Sequence, residues 1–433
     1  MSQIWTEHEV IHLLNRASFG GTKLEIDACL KLGKLETVNR LITGQPLTDY
    51  PQSMKEMNDV ICDGIALNSN QLGDQQLYWF YRMINTSAPL IEKMTLFWHS
   101  HFATSIGKVH LPPLMLRQNE LFRRYALGSF RDLLNEIGTD PAMMMWLDVG
   151  QNRKGSPNEN YAREVMELFT LGRGCYSEQD VKEAARSFTG WNYDRVNDLV
   201  DLDPAQHDSG MKTVLGKSGF LDADDIINIL IGQDALYSFI ANKLLQYFAL
   251  PNPPQTWVAE VASQLKKSQN IGDTISTIFL SDKFYEEHVV MSLIKSPVEY
   301  IVTLSRLLPL PFNRYIINIA KAMGQELYNP PNVAGWQGDQ AWLSTTYLFS
   351  RFQFVEWAVK YISISWLQPF SETEKMPTLD RIKFMGRQLS IPVLSPATLY
   401  GLTNFASTSR LHTKDEVCPF IHLMLMCPEA QLK

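Results

Sequence analysis

Cysteine is scarce in this chain, and its placement argues against metal and disulfide frameworks. The 433 residues include five cysteines, at positions 29, 62, 175, 418 and 427, and no two of them form a C-x-x-C pair. An odd number without paired spacing is not typical of a structural zinc site or a disulfide framework. We interpret Cys175, which lies close to the most informative motif of the chain, as a buried free thiol.

Signatures of membrane insertion and secretion are also missing. No uninterrupted apolar stretch approaches the roughly 20 residues that cross a bilayer as a helix. The first eight residues have neither the basic start nor the apolar run of a secretory signal. We therefore expect a cytoplasmic protein without a membrane span, and export by a route that leaves no N-terminal signal stays open.

Phosphate-binding motifs and excess positive charge are absent as well. The sequence contains no G-x-x-x-x-G-K-[ST] loop and no G-x-G-x-x-G after a strand. The net charge is −7, from 39 Lys and Arg against 46 Asp and Glu, which disfavours generic binding to nucleic acid. Hydrophobic residues make up 45% of the chain and charged residues 20%, so an ordinary globular protein with a large core is expected.

Helical periodicity dominates the chain, and strand-like alternation is rare. Amphipathic segments that follow a capping residue and end at glycine recur at helical lengths. The best strand candidate is 212–216, which we predict to be one arm of a hairpin around 208–210. The sequence therefore predicts an all-α fold, a large multi-helical single unit with at most a small β-hairpin near 205–220.

Domain boundaries are weakly marked. The proline-rich loops at 250–254 and 308–312 are short enough to be turns within one helical body. Helical bundles often grow by terminal additions. We therefore predict a helical domain at 1–360 and a C-terminal helical extension at 361–433 that packs on the same body.

The segment GSPNENYAREVMELFTLG has helix signals at both of its ends. Ser156, Pro157 and Glu159 have the spacing of an N-cap, a first helical residue and a capping box. Gly172 suits the C-terminal cap, because glycine adopts the left-handed conformation cheaply. The segment therefore predicts a helix over 157–171.

Helical spacing places Asn160, Arg163, Glu164 and Glu167 in one row on this helix, which we call the polar stripe. A solvated helix face usually carries Lys and Glu, so we interpret the stripe as facing a polar pocket. Glu164 and Glu167 lie one turn apart, and their mutual repulsion calls for a neutralising partner. If arginines neutralise the two glutamates, the stripe is a structural ion-pair network. If a divalent metal does so, the stripe is a metal site. If the glutamates stay unpaired, the stripe suits catalysis or binding.

Histidines supply further candidates. His99 and His101 form a His-x-His pair, which could chelate a metal from a strand but not easily from within a helix. Their surroundings are helical, so joint ligation requires the helix to end near His99, and the alternative is a pair of hydrogen-bonded core histidines. His207 and Asp208 are predicted to form a hydrogen-bonded pair on a loop, where His207 would be a general base.

Two basic residues and two tryptophans complete the set. Arg153 and Lys154 precede the predicted helix, where main-chain N–H groups and the helix dipole favour a small anion. A solvated basic loop is the alternative. Trp191 and Trp336 each follow a glycine, and they either fill the core or line an apolar wall for a sugar or another ring.

These motifs, in this order, closely resemble a bacterial family known as domain of unknown function 1800. The resemblance rests on HLLNRASFG at 12–20, KMTLFWHSHFATS at 93–105, NENYAREVMELFTLG at 158–172 and PPNVAGW at 330–336, within residues 7–355. It implies no established activity. Members are often encoded beside a second family similar to alkaline phosphatases and sulfatases, which makes a protein partner credible. At 207–210 this chain has HDSG where the family commonly has HDDG.

Two hypotheses about function follow. The first is an enzyme, a hydrolase or lyase, whose pocket gathers Glu164, Glu167, Arg163 and His207, with a small-molecule ligand and an undefined cofactor that could be a divalent metal. The second is a non-catalytic binding or assembly protein, in which the same residues form a buried ion-pair network. A cavity at the stripe would favour the enzyme, and full pairing by protein atoms would favour the second hypothesis.

Overall fold

The computed structural model describes residues 5–49, 53–363, 366–367, 376–408 and 413–433, and helices dominate them. Up to residue 187 the α-helices are Glu7–Ala17 (α1), Lys23–Leu32 (α2), Lys34–Thr43 (α3), Leu72–Asn85 (α4), Pro89–His101 (α5), Ile106–Val109 (α6), Pro112–Arg124 (α7), Phe130–Gly138 (α8), Pro141–Trp146 (α9), Asn160–Glu164 (α10) and Glu178–Ser187 (α11). A π-helix, Val165–Thr170, directly continues α10.

The second half of the described chain is also helical. Its α-helices are Ala223–Ile231 (α12), Asp234–Phe248 (α13), Gln255–Ser268 (α14), Ile271–Leu280 (α15), Pro297–Leu307 (α16), Tyr315–Ala322 (α17), Thr345–Tyr361 (α18), Thr378–Gln388 (α19), Pro396–Thr408 (α20), Lys414–Met426 (α21) and Pro428–Gln431 (α22). Short 3₁₀ helices lie at Met57–Asp59, Val149–Gln151, Asp282–Tyr285 and Asp339–Leu343. No helix in the described part of the chain is long and apolar enough to cross a membrane.

Within the described residues, the strands form three antiparallel pairs. They are Ile61–Cys62 (β1) with Ile65–Ala66 (β2), Trp191–Asp194 (β3) with Leu199–Leu202 (β4), and Lys212–Val214 (β5) with Lys217–Gly219 (β6). The predicted all-α fold is confirmed. The hairpin near 205–220 turns at Leu215 and Gly216, which both have positive φ as a two-residue type I′ turn requires, rather than around 208–210.

Side-chain caps define where many of these helices begin. Capping boxes start α1, α2, α11, α12 and α16, so that a Ser, Thr or Asp side chain accepts a hydrogen bond from the main-chain N–H three residues later. Each such cap satisfies N–H groups that have no partner inside the helix. In α16 the two partners are Ser296 and Glu299, and Glu299 has a second role described below.

The predicted helix over 157–171 is shorter and changes register. Ser156 does not cap it; its N–H instead donates to the carbonyl of Arg153 at 3.0 Å, which closes a tight turn. The side chain of Asn158 accepts from the N–H of Asn160, where α10 begins. In the following π-helix the N–H of Leu171 donates to the carbonyl of Met166, five residues earlier. Gly172, at φ +77°, ends the helix as predicted.

Two large hydrophobic cores and a smaller cluster around β1 and β2 organise the described residues. The first is built mainly from α1–α3, α5 and α8–α15. The second joins α4 and α16–α18 to the C-terminal helices α19–α22. Helix α5 contributes to both, with Met94 and Trp98 in the first and Leu96 in the second. The end of α5 therefore lies where the two cores meet.

Candidate functional site

Arg163 of the polar stripe is held by two carboxylates of the protein. Its Nη2 donates to Glu159 at 3.0 Å and to Glu178 at 2.7 Å, and its Nη1 donates to Glu178 at 2.9 Å. Glu178 begins α11, so this ion pair joins α10 to the next helix. Both partners are well exposed to solvent, which limits the strength of the ion pair.

Glu167 is paired as well, whereas Glu164 is not. The carboxylate of Glu167 accepts from Nε of Arg173 and from the hydroxyl of Tyr176, both at 2.7 Å. These bonds lower the pKa of Glu167, led by the one from Tyr176. Glu164 is half-buried and has no hydrogen-bond donor among the described residues. Burial and then the charge of Glu167 raise the pKa of Glu164.

His99 and His101 both lie inside α5, which runs to His101, so the pair does not present one face to a metal. Nε2 of His99 accepts from the N–H of Tyr328, and Nε2 of His101 donates to the carbonyl of Phe169, each at 3.0 Å. Burial lowers the pKa of each histidine to about 3. Both are thus buried histidines that bond to main-chain groups, which is the alternative named above, and metal binding by either one stays a prediction.

The predicted pair of His207 and Asp208 does not form. Nδ1 of His207 donates to the carbonyl of Thr189 at 2.9 Å. Asp208 instead accepts from Nε and Nη2 of Arg186, at 2.7 and 3.2 Å. This bidentate bond lowers the pKa of Asp208 to about 2, because a guanidinium fork stabilises the ionised carboxylate. Asp208 is therefore a partner of α11 and not of the imidazole.

The stripe and the histidines do not form one site. Within the described ranges, none of the hydrogen bonds of His99, His101 and His207 goes to a stripe residue. No group of three or more His, Cys, Asp or Glu side chains in this part of the chain is arranged to hold a metal ion. Asn160 is exposed at the start of α10, where its main-chain N–H donates to Asn158 and its side chain bonds to no other described residue.

The remaining predicted residues lie near the surface or line cavities. Arg153 and Lys154 are exposed in the tight turn ahead of α10, not at its N-terminus, because the helix begins only at Asn160. The N–H groups and the dipole at the N-terminus of α10 therefore do not favour an anion beside Arg153 and Lys154. Cys175 is exposed rather than buried. Trp191 and Trp336 are half-buried, and each lines a cavity.

Trp336 opens onto a cavity of about 380 Å³ that we call the α5–α13 cavity. The main chain of Gly335, at φ +79°, packs so closely on the carbonyl of Ser100 that no Cβ would fit. This approach sets the ring of Trp336 against His99, with centroids 5.4 Å apart. The cavity is lined by Leu96, Phe97, Ser100, His101, Lys243, Gln246, Tyr247, Pro251, Leu293, Ile294, Ser296, Glu299, Gln325, Ala334, Trp336, Gln337, Gly338, Asp339, Trp342 and Lys433.

Charged side chains of both signs line this cavity, namely Lys243, Lys433, Glu299 and Asp339. Glu299 is buried, and both Lys93 at 2.6 Å and Lys433 bind its Oε1, which holds the pKa of Glu299 well below its usual range. Lys243 has no carboxylate partner among the described residues, and its Nζ lies 5.5 Å from the ring centroid of Phe239. Burial lowers the pKa of Lys243. Glu299 is thus neutralised by two lysines, Lys243 lies apart from that cluster, and Asp339 is exposed at the edge of the cavity.

Sequence reasoning missed the charged residues of this cavity. Lys93 stands at the start of a recognised motif, but one lysine in an amphipathic segment carries no distinct signal. Glu299 has the spacing of a capping residue, and that role hides its contacts with two lysines. Lys243 lies 142 residues after His101 in the chain. Only tertiary structure brings them together.

Comparison with known proteins gives one match. The family described as "Protein of unknown function (DUF1800)" matches residues 12–432, which include the segment after 360. No curated protein and no solved structure matches the chain.

Proposed function

This chain belongs to the family of unknown function DUF1800, and we propose that it binds a small organic anion in the α5–α13 cavity. The observation that carries the proposal is Lys243, a half-buried cation without a carboxylate partner among the described residues. An uncompensated cation in such a place is costly. A bound anion would supply the missing counter-charge.

The walls of the cavity indicate the rest of the ligand. Trp336 and Trp342 contribute aromatic surface, and Ser100 and Gln246 contribute polar groups. Small-molecule sites are typically apolar clefts of roughly 300–1,000 Å³ with a few placed polar groups, and this cavity of about 380 Å³ is within that range. The combination favours a carboxylate or phosphate that carries an apolar or planar part.

The contacts of the polar stripe favour a structural role over catalysis at α10. Arg163 and Glu167 are each paired by protein side chains, which is the behaviour expected of a structural network. Glu164 alone stays unpaired, and one half-buried carboxylate is a weak basis for an active site. We therefore assign the stripe a structural role and place ligand binding at the other end of the π-helix, where His101 contacts Phe169.

A hydrolase or lyase acting in the same cavity is the second candidate. The lowered pKa of Lys243 favours it, because a desolvated lysine is more often a neutral amine and can act as a nucleophile or base. In that case the ligand would be consumed after binding. The two candidates share the site and differ in the fate of the ligand.

Titration calorimetry at low ionic strength with acetate, pyruvate, succinate, benzoate and inorganic phosphate tests the proposal. At least one anion should bind wild type saturably, and Lys243→Met should weaken it about tenfold or more, since the variant keeps the stem and loses the charge. Lys266→Met is the matched control, because Lys266 is exposed on the neighbouring α14. The proposal fails if none of these anions binds, or if Lys243→Met binds them as wild type does.

A second measurement separates binding from catalysis. A 4-nitrophenyl ester of the anion that binds is incubated with wild type and with Lys243→Met and followed by NMR. Product that forms with wild type but not with Lys243→Met would favour the hydrolase or lyase, and an unchanged ligand would favour a binding protein.

A further inference from the structure

A second cavity, which we call the Trp191 cavity, is lined in part by Tyr161 of α10. Its volume is about 260 Å³. Helices α8, α10 and α12 and strand β3 contribute its walls. It is lined by Leu134, Asn135, Glu136, Gly138, Thr139, Val149, Tyr161, Phe188, Trp191, Ala223, Asp224 and Ile227. The cavity shares no lining residue with the α5–α13 cavity, so the inference that follows does not depend on the proposed function.

Aromatic side chains form the inner part of the Trp191 cavity. Tyr161 and Phe188 are buried and pack edge to face, with ring centroids 4.9 Å apart and planes at 85°. Trp191 is half-buried and joins them as a lining residue. Aromatic rings in a cleft offer a flat apolar surface to a ligand ring.

The hydroxyl of Tyr161 is fully buried and has no hydrogen-bond partner among the described residues. It lies against Gly138, where an added Cβ would come within 2.8 Å of the oxygen. Buried polar groups almost always have a partner. Because this oxygen is not accessible from the cavity, Tyr161 offers a ligand the surface of its ring and not a hydrogen bond.

The outer part of the cavity is polar and acidic. Asn135, Glu136 and Asp224 are exposed, and Thr139 is half-buried beside them. Ionised carboxylates only accept hydrogen bonds, so a ligand has to bring several donors to this edge. The two carboxylates also repel an anion.

We propose that the Trp191 cavity binds a neutral sugar ring, a single pyranose. A pyranose has an apolar C–H face for the aromatic rings and several hydroxyl donors for Glu136, Asp224 and Asn135. The volume is slightly below the roughly 300 Å³ at which drug-sized sites begin, which suits one ring and not a chain of rings buried in full.

Saturation-transfer NMR with glucose, galactose, mannose and N-acetylglucosamine at millimolar concentration tests this proposal on the full chain. We expect saturable signal from at least one sugar with wild type. Trp191→Ala should weaken binding about tenfold, and Trp191→Phe should retain most of it. Trp336→Ala is the control, because it removes a tryptophan from the other cavity and should leave sugar binding unchanged.

Asp224→Asn keeps the test decisive if Trp191→Ala does not fold. Asp224 is exposed at the start of α12, so this variant should fold and bind the sugar several-fold more weakly. The inference is overturned if none of the four sugars binds, if binding survives both Trp191→Ala and Asp224→Asn, or if gluconate binds more tightly than the neutral sugars.

Discussion

Glu164 and Glu167 are one helical turn apart, yet their surroundings give their charges opposite effects on stability. Hydrogen bonds from Tyr176 and Arg173 lower the pKa of Glu167 in the folded protein. Its charge therefore stabilises the fold at pH values above the pKa of Glu167 in the unfolded chain. This stabilisation is lost as the pH falls through the pKa in the folded protein. Burial and the neighbouring charge raise the pKa of Glu164. Its charge therefore costs stability once the pH has risen through the folded pKa.

We expect the two matched glutamine variants to change the free energy of unfolding in opposite directions at pH 7. Glu167→Gln should lower the free energy of unfolding by about 1 kcal/mol or less, because Arg173 is largely exposed. Glu164→Gln should raise it by a similar or smaller amount. Urea unfolding at pH 7 and at pH 3.5 measures both, and both differences should shrink toward zero at the lower pH. A loss of about 3–5 kcal/mol in Glu167→Gln would instead indicate a buried ion pair.

Asp140 is a buried carboxyl that caps α9. Its Oδ1 accepts from the amide of Gln118 at 2.7 Å and from the N–H of Met143 at 2.9 Å, while Oδ2 has no partner among the described residues. Burial raises the pKa of Asp140 to about 6 despite these bonds. The folded protein therefore holds a proton that the unfolded chain releases between about pH 4 and 6.

This proton predicts a pH dependence that Asp140→Asn should remove. The contribution of Asp140 to stability is present at low pH and lost as the pH rises through about 6. From pH 4 to pH 7, the free energy of unfolding of the variant should therefore rise by about 2 kcal/mol relative to that of wild type. Urea unfolding at the two values checks this, with Asp132→Asn on the exposed side of α8 as a control. If the difference in stability between variant and wild type is the same at both pH values, Asp140 does not hold a buried proton.

At the scale of the element, the π-helix is held at its end by a histidine. The hydroxyl of Thr170 donates to the carbonyl of Val165 at 2.5 Å, and His101 donates to the carbonyl of Phe169. A π-helix is a costly register that is often found at functional sites. Here it connects the stripe to the end of α5, which borders the α5–α13 cavity.

We expect His101→Phe to destabilise the fold without any metal dependence. The ring would still pack on Phe97 and Phe102, but the buried carbonyl of Phe169 would lose its donor, at a cost of about 1–3 kcal/mol. Urea unfolding with added zinc and with EDTA checks this. If zinc stabilises wild type against urea but does not stabilise the variant, His101 is a metal ligand.

The sequence predicted element types well and local register less well. Capping residues are local signals in the sequence, and they mark the starts of helices such as α1, α2 and α11. The start of α10 was wrong, because Asn158 competes with Ser156 by bonding the main chain of Asn160. The turn at Leu215 and Gly216 was missed because leucine seldom adopts a positive φ.

The candidate site was less predictable than the elements, because it depends on partners distant in the chain. The pairing of His207 with Thr189 and of Asp208 with Arg186 comes from the packing of a loop on α11. Adjacent residues in the sequence were read as partners of each other. Trp336 lines the α5–α13 cavity, and contact of its ring with a ligand stays a prediction.

At the scale of the whole molecule, one ion cluster connects the two hydrophobic cores. Lys93 lies on α5, Glu299 begins α16, and Lys433 follows α22. Both lysines bind the same oxygen of Glu299, whose other oxygen accepts from the N–H of Ser296 at 2.8 Å. Around it, Tyr300 and Arg351 hold the last residues of the chain through Leu425 and Gln431.

Glu299→Gln should therefore destabilise the molecule far more than the loss of a helix cap does. It leaves Lys93 and Lys433 buried without a counter-charge, which costs about 3–5 kcal/mol. Asp225→Asn, which weakens the exposed capping box of α12, should cost about 1 kcal/mol or less. Urea unfolding followed by tryptophan fluorescence and by circular dichroism measures both variants.

The double variant Lys433→Met with Glu299→Gln provides the decisive comparison. Removing one stranded lysine should recover part of the loss, because charges in direct contact do not contribute additively. Both probes should report one transition, since α5 and α16 tie the two cores into one cooperative unit. Additive losses, or separate transitions for the two probes, would mean that the cluster does not couple the cores and that each core unfolds alone.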